Sequence, residues 1–274
     1  MASSTDTVPS GSSTSTEPEI KYLDTASAYD LWSSVYDTDN NFLQALDSFE
    51  MKTLFPELIS TLESSNPALS KPWKLVDLGC GTGRNTIHLA SLPAPDVDEI
   101  YALDLSPRML DLARERLKNY GAGEVAEKVK FQVFNVMNPS DREKVPKTAD
   151  AIISTLVLEH VPLVDYFPVA AGMLKVGGLL LLTNMHGDMG KISQAGFVDP
   201  TTGEKIRPLE SYAYSCDEVR SEAERFGFEM LSLGQKDGFE EKMVTNENHE
   251  LFGPRAAKWI GVRVWFGGIL RKVR

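Results

Sequence analysis

Short apolar runs alternate along the chain with segments whose apolar residues recur at helical spacing. Buried parallel strands form continuous apolar runs, whereas amphipathic helices repeat their apolar residues every three or four positions. This alternation predicts an α/β fold around a mostly parallel sheet. The predicted strands cover residues 75–78, 100–104, 129–135, 150–154, 179–183, 228–233 and 259–266, and the clearest predicted helices cover 85–90, 107–117 and 215–227.

A glycine-rich turn follows the first predicted strand. Gly79, Gly81 and Gly83 separate this strand from a helix, so backbone N–H groups and a helix N-terminus face outward beyond the sheet. The second strand ends at Asp104, whose carboxylate offers two acceptors to the two hydroxyls of a ribose. Arg84 stands where the dinucleotide fingerprint needs a small residue, and no P-loop lysine follows the turn.

Four motifs along the chain resemble those of class I S-adenosylmethionine (SAM)-dependent methyltransferases. Residues 76–83 and 101–110 are similar to the first two motifs, and residues 149–162 and 174–183 are similar to two later ones. The resemblance spans residues 74–183. It implies a Rossmann-like fold whose mostly parallel seven-stranded sheet closes with an antiparallel final strand. It also implies SAM as the cofactor and S-adenosylhomocysteine (SAH) as the product.

The same resemblance places a cofactor site at the carboxyl edge of the sheet. The glycines shape the turn, Asp77 supports the methionine end and Asp104 holds the ribose. Asn135 occupies the position where the family usually has an aspartate that accepts from adenine, and its side-chain carbonyl can accept as well. The expected cofactor residues are Asp77, Gly79, Cys80, Gly81, Gly83, Asn85, Asp104, Leu105, Met109, Asn135, Val136 and Thr155.

An N-terminal helical cap is predicted over residues 20–72. Tyr29, Trp32 and Tyr36 share one helix face because they are three and seven positions apart. That face either packs on the edge of the sheet or closes a substrate cavity. In the methyltransferases that the chain resembles, such a helix carries a Tyr-Asp pair, here Tyr36-Asp37, and folds over the cofactor.

A lid is predicted over residues 185–214, a long segment without periodicity that contains a hairpin at 197–206. His160 and His186 each follow a strand and are rival candidates for a catalytic general base, although a structural role for His160 stays open. Tyr214 stands where the resemblance places a histidine, and we expect it to orient the acceptor. The expected substrate-binding residues are Tyr22, Tyr29, Trp32, Tyr36, His160, His186 and Tyr214.

Composition limits the classes of partner. The chain has 274 residues and a formal net charge of −11, which argues against a nucleic-acid substrate because phosphate binding needs a clustered basic surface. Its only basic cluster, within residues 263–274, is interpreted as a solvated tail. Cys80 and Cys216 suggest neither a disulfide framework nor a metal site. We expect a cytoplasmic protein with no membrane segment, as a monomer or weak homo-oligomer.

The sequence therefore predicts a small-molecule methyltransferase with three parts. Residues 1–19 are a disordered tail, residues 20–72 the cap, and residues 73–274 the SAM-binding domain with its lid. The acceptor is expected to be a small, largely apolar secondary metabolite with an oxygen, sulfur or nitrogen nucleophile. Two alternatives stay open: a SAM-dependent reaction other than methylation, such as a cyclisation, and a methyltransferase-like regulatory protein that binds another protein.

Overall fold

Strands and helices alternate around one central sheet in the computed structural model, which describes residues 20–65, 69–121, 123–232 and 238–274. The predicted disordered tail, 1–19, lies outside the described residues. The helices are α1 (Thr25–Trp32), α2 (Phe42–Ser65), α3 (Arg84–Ala90), α4 (Pro107–Tyr120), α5 (Leu163–Met173), α6 (Gly187–Gly190) and α7 (Cys216–Arg225). The strands are β1 (Ile20–Leu23), β2 (Trp73–Leu78), β3 (Val97–Asp104), β4 (Val129–Val133), β5 (Ala149–Thr155), β6 (Leu174–Met185), β7 (Phe197–Val198), β8 (Lys205–Pro208), β9 (Phe228–Met230), β10 (Glu240–Met243) and β11 (Arg263–Lys272). Within these ranges no helix combines the length and the apolar composition needed to cross a membrane.

The central sheet has eight strands among the described residues, in the order β10-β11-β6-β5-β2-β3-β4, with β9 also beside β11. Strands β6, β5, β2, β3 and β4 are parallel, and β11 is antiparallel to β6. This confirms the Rossmann-like α/β fold with an antiparallel strand at one edge. The sequence predicted seven strands and missed β10, because Glu-Glu-Lys-Met has no apolar run.

The last strand corrects two expectations. β11 ends at Lys272 rather than at 266, because Gly267 interrupts the apolar pattern without ending the strand. The glycine is needed there, since a Cβ atom would lie 2.5 Å from the ring of Trp265. The basic residues are not a solvated tail either. The Lys272 ammonium donates to the carbonyl oxygens of Ala171 at 2.7 Å and Leu174 at 2.8 Å.

The N-terminal cap and the lid form one unit. Residues 20–65 hold a strand and two helices rather than a purely helical cap. β1 pairs in parallel with β8, which pairs with β7 in the predicted hairpin, so a three-stranded sheet joins the two segments. Asp30 fastens α1 to the start of α4, because its carboxylate accepts from the Ser106 hydroxyl and from the backbone N–H of Arg108.

A buried carboxylate fastens α2 to the central sheet. Asp47 is 1% exposed and accepts from the Thr183 hydroxyl of β6 at 2.6 Å. It also accepts from the indole N–H of Trp265 in β11 at 3.0 Å. Both donors are buried and have no contact with water, so the carboxylate satisfies them in place of solvent.

We predict that Asp47→Ala lowers the free energy of unfolding by about 3 kcal/mol, because it leaves two buried donors without an acceptor. The control is Asp111→Ala, which removes an exposed carboxylate paired with Arg114 and should change stability by less than about 1 kcal/mol. Urea unfolding followed by circular dichroism measures both variants. Equal losses in the two variants would contradict the anchoring role of Asp47.

Candidate active site

A cavity of about 400 Å³ lies at the carboxyl ends of β2, β3, β4 and β5. We call it the main cavity. The glycine turn forms one of its walls, and α1 and the lid (residues 185–214) form the other. It brings together most of the residues that the sequence predicted. These are Tyr29, Tyr36, Gly79, Cys80, Gly81, Asn85, Asp104, Leu105, Asn135, Val136, Thr155 and His160.

The glycine turn leaves room for a ligand at one position in particular. Gly81 has φ +53°, and a Cβ atom built there meets nothing within 4 Å, so this position faces open space. Gly79 serves packing instead, since a Cβ atom there would lie 2.2 Å from a methyl carbon of Val157. The backbone N–H groups of Gly79 and Cys80 both donate to the Leu103 carbonyl, which holds the turn against β3.

Asp104 connects the glycine turn to the end of β3. One carboxylate oxygen accepts from the backbone N–H of Gly81 at 2.7 Å, and the other accepts from that of Ser106 at 2.8 Å. Burial raises the pKa of Asp104 to about 6. Each oxygen retains a further lone pair, so the carboxylate can also accept from ligand hydroxyls in the cavity.

Three expected cofactor residues lie behind the cavity wall rather than in it. Asp77 is 1% exposed within β2 and accepts from the Thr86 hydroxyl at 2.6 Å, so it fixes α3. Burial raises the pKa of Asp77 to about 7. Gly83 caps α3 and packs on Ala113, and Met109 is fully buried in α4. These three residues therefore support the cavity wall without lining the cavity.

Asn135 and Val136 line the cavity after β4. The Asn135 side-chain oxygen accepts from the backbone N–H of Met137 at 2.8 Å, and the backbone N–H of Asn135 donates to the Asp141 carboxylate at 3.1 Å. These bonds hold the segment in a turn with the side chain of Asn135 at the cavity. The sequence analysis did not identify Asp141, because it supports this turn from a position six residues further along the chain.

His160 joins α1 to the lid at one wall of the main cavity. Its Nδ1 lies 3.1 Å from the carbonyl oxygen of Glu210, and its Nε2 lies 2.7 Å from the hydroxyl oxygen of Tyr29. A carbonyl oxygen can only accept, so Nδ1 carries the proton and Nε2 accepts from the Tyr29 O–H. Burial lowers the pKa of His160 to about 4, so the ring is neutral at pH 7.

Three aromatic residues that were expected to bind substrate lie outside the main cavity. Tyr22 lies on β1 and is exposed, and the buried Trp32 donates to Asp39 and stacks on Phe197, so neither lines the main cavity. Tyr214 also lies outside, where its hydroxyl donates to a backbone carbonyl at 3.3 Å. Its stacking partner Tyr212 lines the cavity instead. This segment has neither helical nor strand periodicity, so its sequence does not indicate which of the two tyrosines faces the cavity.

His186 is also placed away from the main cavity. It is 3% exposed at the end of β6, where its Nδ1 accepts from the backbone N–H of Asp188 at 3.0 Å. Its Nε2 lies 3.4 Å from a carboxylate oxygen of Glu241. His186, one of the two expected candidates for a general base, therefore does not line the main cavity, because the end of β6 turns its side chain toward β10.

His186, Cys216 and Glu241 present ligand atoms within 4.8 Å of one another, which is close enough to hold a metal ion. A cation is already present, since Arg263 lies 2.7 Å from both Glu241 and Asp188. The guanidinium neutralises these carboxylates, and burial raises the pKa of the Cys216 thiol to about 12. The cluster is thus an ion-pair network that fastens β11 to the start of the lid.

Comparison with known proteins assigns the family. Residues 75–178 match the family described as a methyltransferase domain. An uncharacterized methyltransferase of Emericella nidulans is 47% identical over 262 residues, which cover 90% of this chain and 91% of that protein. The chain is a class I SAM-dependent methyltransferase. The main cavity occupies the carboxyl edge of the methyltransferase sheet, as the motif resemblance implied.

Solved structures share the fold of this methyltransferase. A SAM-dependent methyltransferase from Mesorhizobium loti is 18% identical, covers 77% of this chain and 96% of its own, and has a TM-score of 0.51. The DhpI–SAH complex is also 18% identical, covers 90% of this chain and 94% of its own, and has a TM-score of 0.53. At these identities the likeness concerns the fold alone.

We predict that His160 makes the methyltransferase less stable in mild acid. The unfolded chain takes up a proton near pH 6.5, but the folded chain does so only near pH 4, so stability is lost as the pH falls between these values. Relative to His160→Gln, the wild type should lose about 1.4 kcal/mol per pH unit in this window. Urea unfolding of both proteins from pH 7 to 4 measures the difference in their free energies of unfolding. The carboxyl groups titrate in both proteins, so their contributions cancel in this difference. Parallel curves would contradict a buried neutral imidazole.

Proposed function

We propose that the protein transfers the methyl group of SAM to a small molecule that binds beside Tyr29, Tyr36 and Tyr212. One observation carries this proposal. A single cavity holds a polar end, formed by Gly81, Asp104 and their neighbours, and an aromatic end formed by the three tyrosines. The polar end suits a nucleoside, and the aromatic end suits the apolar body of an acceptor.

The residues present fit SAM at the polar end. Asp104 has lone pairs left for the ribose hydroxyls, and Gly81 leaves open space beside its backbone. Asn135 and Val136 would border the adenine, with a polar side chain and an apolar one. Asn85 donates to the Thr155 hydroxyl at 2.8 Å, and this pair would face the methionine end.

The chemistry needs orientation more than proton transfer. When bound, SAM supplies a methyl group on a positively charged sulfur, which is a strong electrophile and needs no acid from the protein. Aligning the acceptor with that methyl group contributes up to roughly 7–11 kcal/mol in favourable cases. The tyrosine rings and the lid would hold the acceptor and exclude water from the cavity.

His160 acts in this proposal as a positioning residue rather than as a base. With a pKa of about 4 its ring is a weak proton acceptor at pH 7, and Nε2 is already occupied by the Tyr29 O–H. That bond holds the phenol ring in place and leaves its oxygen free to accept from an N–H or O–H of the substrate.

The central experiment incubates the protein with isotope-labelled SAM and a fractionated metabolite extract, and mass spectrometry then identifies any product that gains the labelled methyl group. Production of SAH with a labelled small molecule supports the proposal. Binding of SAM without SAH production, while an extract component changes structure, would replace methylation by another SAM-dependent reaction such as a cyclisation.

We predict that Gly81→Ala weakens SAH binding about tenfold or more, because the new methyl group enters the space that the ligand occupies. Gly121→Ala is the matched control. Gly121 also has positive φ, at +72°, and open space at its Cβ, but it ends α4 away from the cavity. Both variants should lose about 1 kcal/mol of stability from backbone strain.

Isothermal titration calorimetry with SAH measures the affinity, and urea unfolding measures the strain. The control should bind SAH as the wild type does. If all three proteins bind SAH equally well, the ligand does not occupy the space beside Gly81, and if none binds it, the proposed function fails.

A further inference from the structure

A second, smaller chamber lies behind the tyrosines of the main cavity. This inner chamber, of about 80 Å³, shares Tyr29, Tyr36 and Leu156 with the main cavity. Its other walls include Trp32 and Glu159, the start of α2, residues 193–196 of the lid and the helical turn at Pro254–Trp259. A molecule in the inner chamber would therefore contact the same tyrosines that face the main cavity.

Three buried polar groups at the inner chamber have atoms without a hydrogen-bond partner among the described residues. They are the Gln44 amide nitrogen, the Trp259 indole nitrogen and the Oε2 oxygen of Glu159. All three side chains are more than nine-tenths buried. Leaving such an atom unpaired costs about 1–3 kcal/mol, so native structures usually satisfy it. Two of the three groups are N–H donors, so the oxygens of an occupant would satisfy them.

Positive charge is concentrated at the mouth of the inner chamber. Arg255 and Lys258 line it, and β8 places Lys205 and Arg207 on one face, two residues apart. Arg207 adjoins the chamber, since a Cβ atom on the lining residue Gly196 would lie 2.8 Å from its side chain. We call these four basic residues the rim.

The rim is not neutralised by the protein. None of its four side chains forms a salt bridge within the ranges that the structure describes, although the chain as a whole carries a formal net charge of −11. Burial and the charges of the other three rim residues lower the pKa of Lys258. The Arg207 Nε atom is buried without a partner. Four cations held together without a counter-charge indicate a site for an anion.

We propose that the inner chamber and its rim bind a carboxylate or phosphate group of the methyl acceptor, whose apolar body lies beside the tyrosines of the main cavity. This inference rests on the proposed function and specifies its substrate class. The anionic group would meet the rim, and its oxygens or those beside it would accept from Gln44 and Trp259. The nucleophile would then lie on the main-cavity side of Tyr29 and Tyr36, where the proposed donor binds. The acceptor is thus an acid with an apolar body, rather than a neutral apolar metabolite.

The first test combines product identification with a charge-removal variant. Lys205→Gln/Lys258→Gln removes two rim charges and no hydrogen bond that the structure contains. The matched control, Lys118→Gln/Lys147→Gln, removes two exposed charges elsewhere. We expect the labelled product to be an acid. In the rim variant, KM for the acceptor should rise about tenfold or more while kcat changes little. The control should have the same KM and kcat as the wild type. A neutral product with equal KM in all three proteins would overturn the proposal and leave the proposed function standing.

The second test needs no knowledge of the acceptor. Ligand-observed NMR in the presence of SAH compares benzoate, phenyl phosphate and the neutral analogue benzamide. We expect the wild type and the control to bind one of the two anions and to bind benzamide more weakly, and the rim variant to lose this preference. The anion preferred distinguishes a carboxylate from a phosphate acceptor. Equal binding of all three probes by the wild type would contradict an anionic subsite, whereas failure to bind SAH in calorimetry would count against the proposed function itself.

Discussion

The buried carboxylate of Asp104 is the interaction on which the candidate site depends. It accepts from Gly81 on one side and from Ser106 on the other, so it fixes the glycine turn and the start of α4 relative to each other. Without an acceptor there, two backbone N–H groups at the cavity would be unpaired. The Ser106 hydroxyl also donates to the Asp30 carboxylate of α1. By fixing Ser106, Asp104 therefore also determines where α1 lies over the cavity.

Buried carboxyl groups at and behind the wall of the main cavity have pKa values that are raised by burial. Burial raises the pKa of Asp104 to about 6 and that of Asp77 to about 7. Near neutral pH these carboxyl groups lie close to the balance between their two protonation states, so a nearby cation would favour ionisation. The proposed donor is such a cation, with a positive sulfur, whereas the rim of the inner chamber is basic. The main cavity would therefore favour the positively charged donor, and the rim would favour the anionic group of the proposed acceptor.

The sequence predicted the parts of the site that are encoded locally and missed those formed by distant segments. Gly79, Gly81 and Asp104 were found because a strand, a turn and a strand end lie within 30 consecutive positions. The pairing of β1 with β8 had no such signal, since their residues are separated by most of the chain. The rim joins two short segments, near 205 and near 255, and neither is basic enough alone to suggest an anion site.

The position of α1 implies that the two compartments are coupled. Tyr29 contributes to both walls, and its hydroxyl donates to His160, whose other ring nitrogen donates to the Glu210 carbonyl of the lid. A ligand that orders this contact from one side reduces the entropy that a ligand on the other side must lose. Linkage is reciprocal, so an acceptor that tightens binding of the methyl donor must itself bind more tightly when the donor is present.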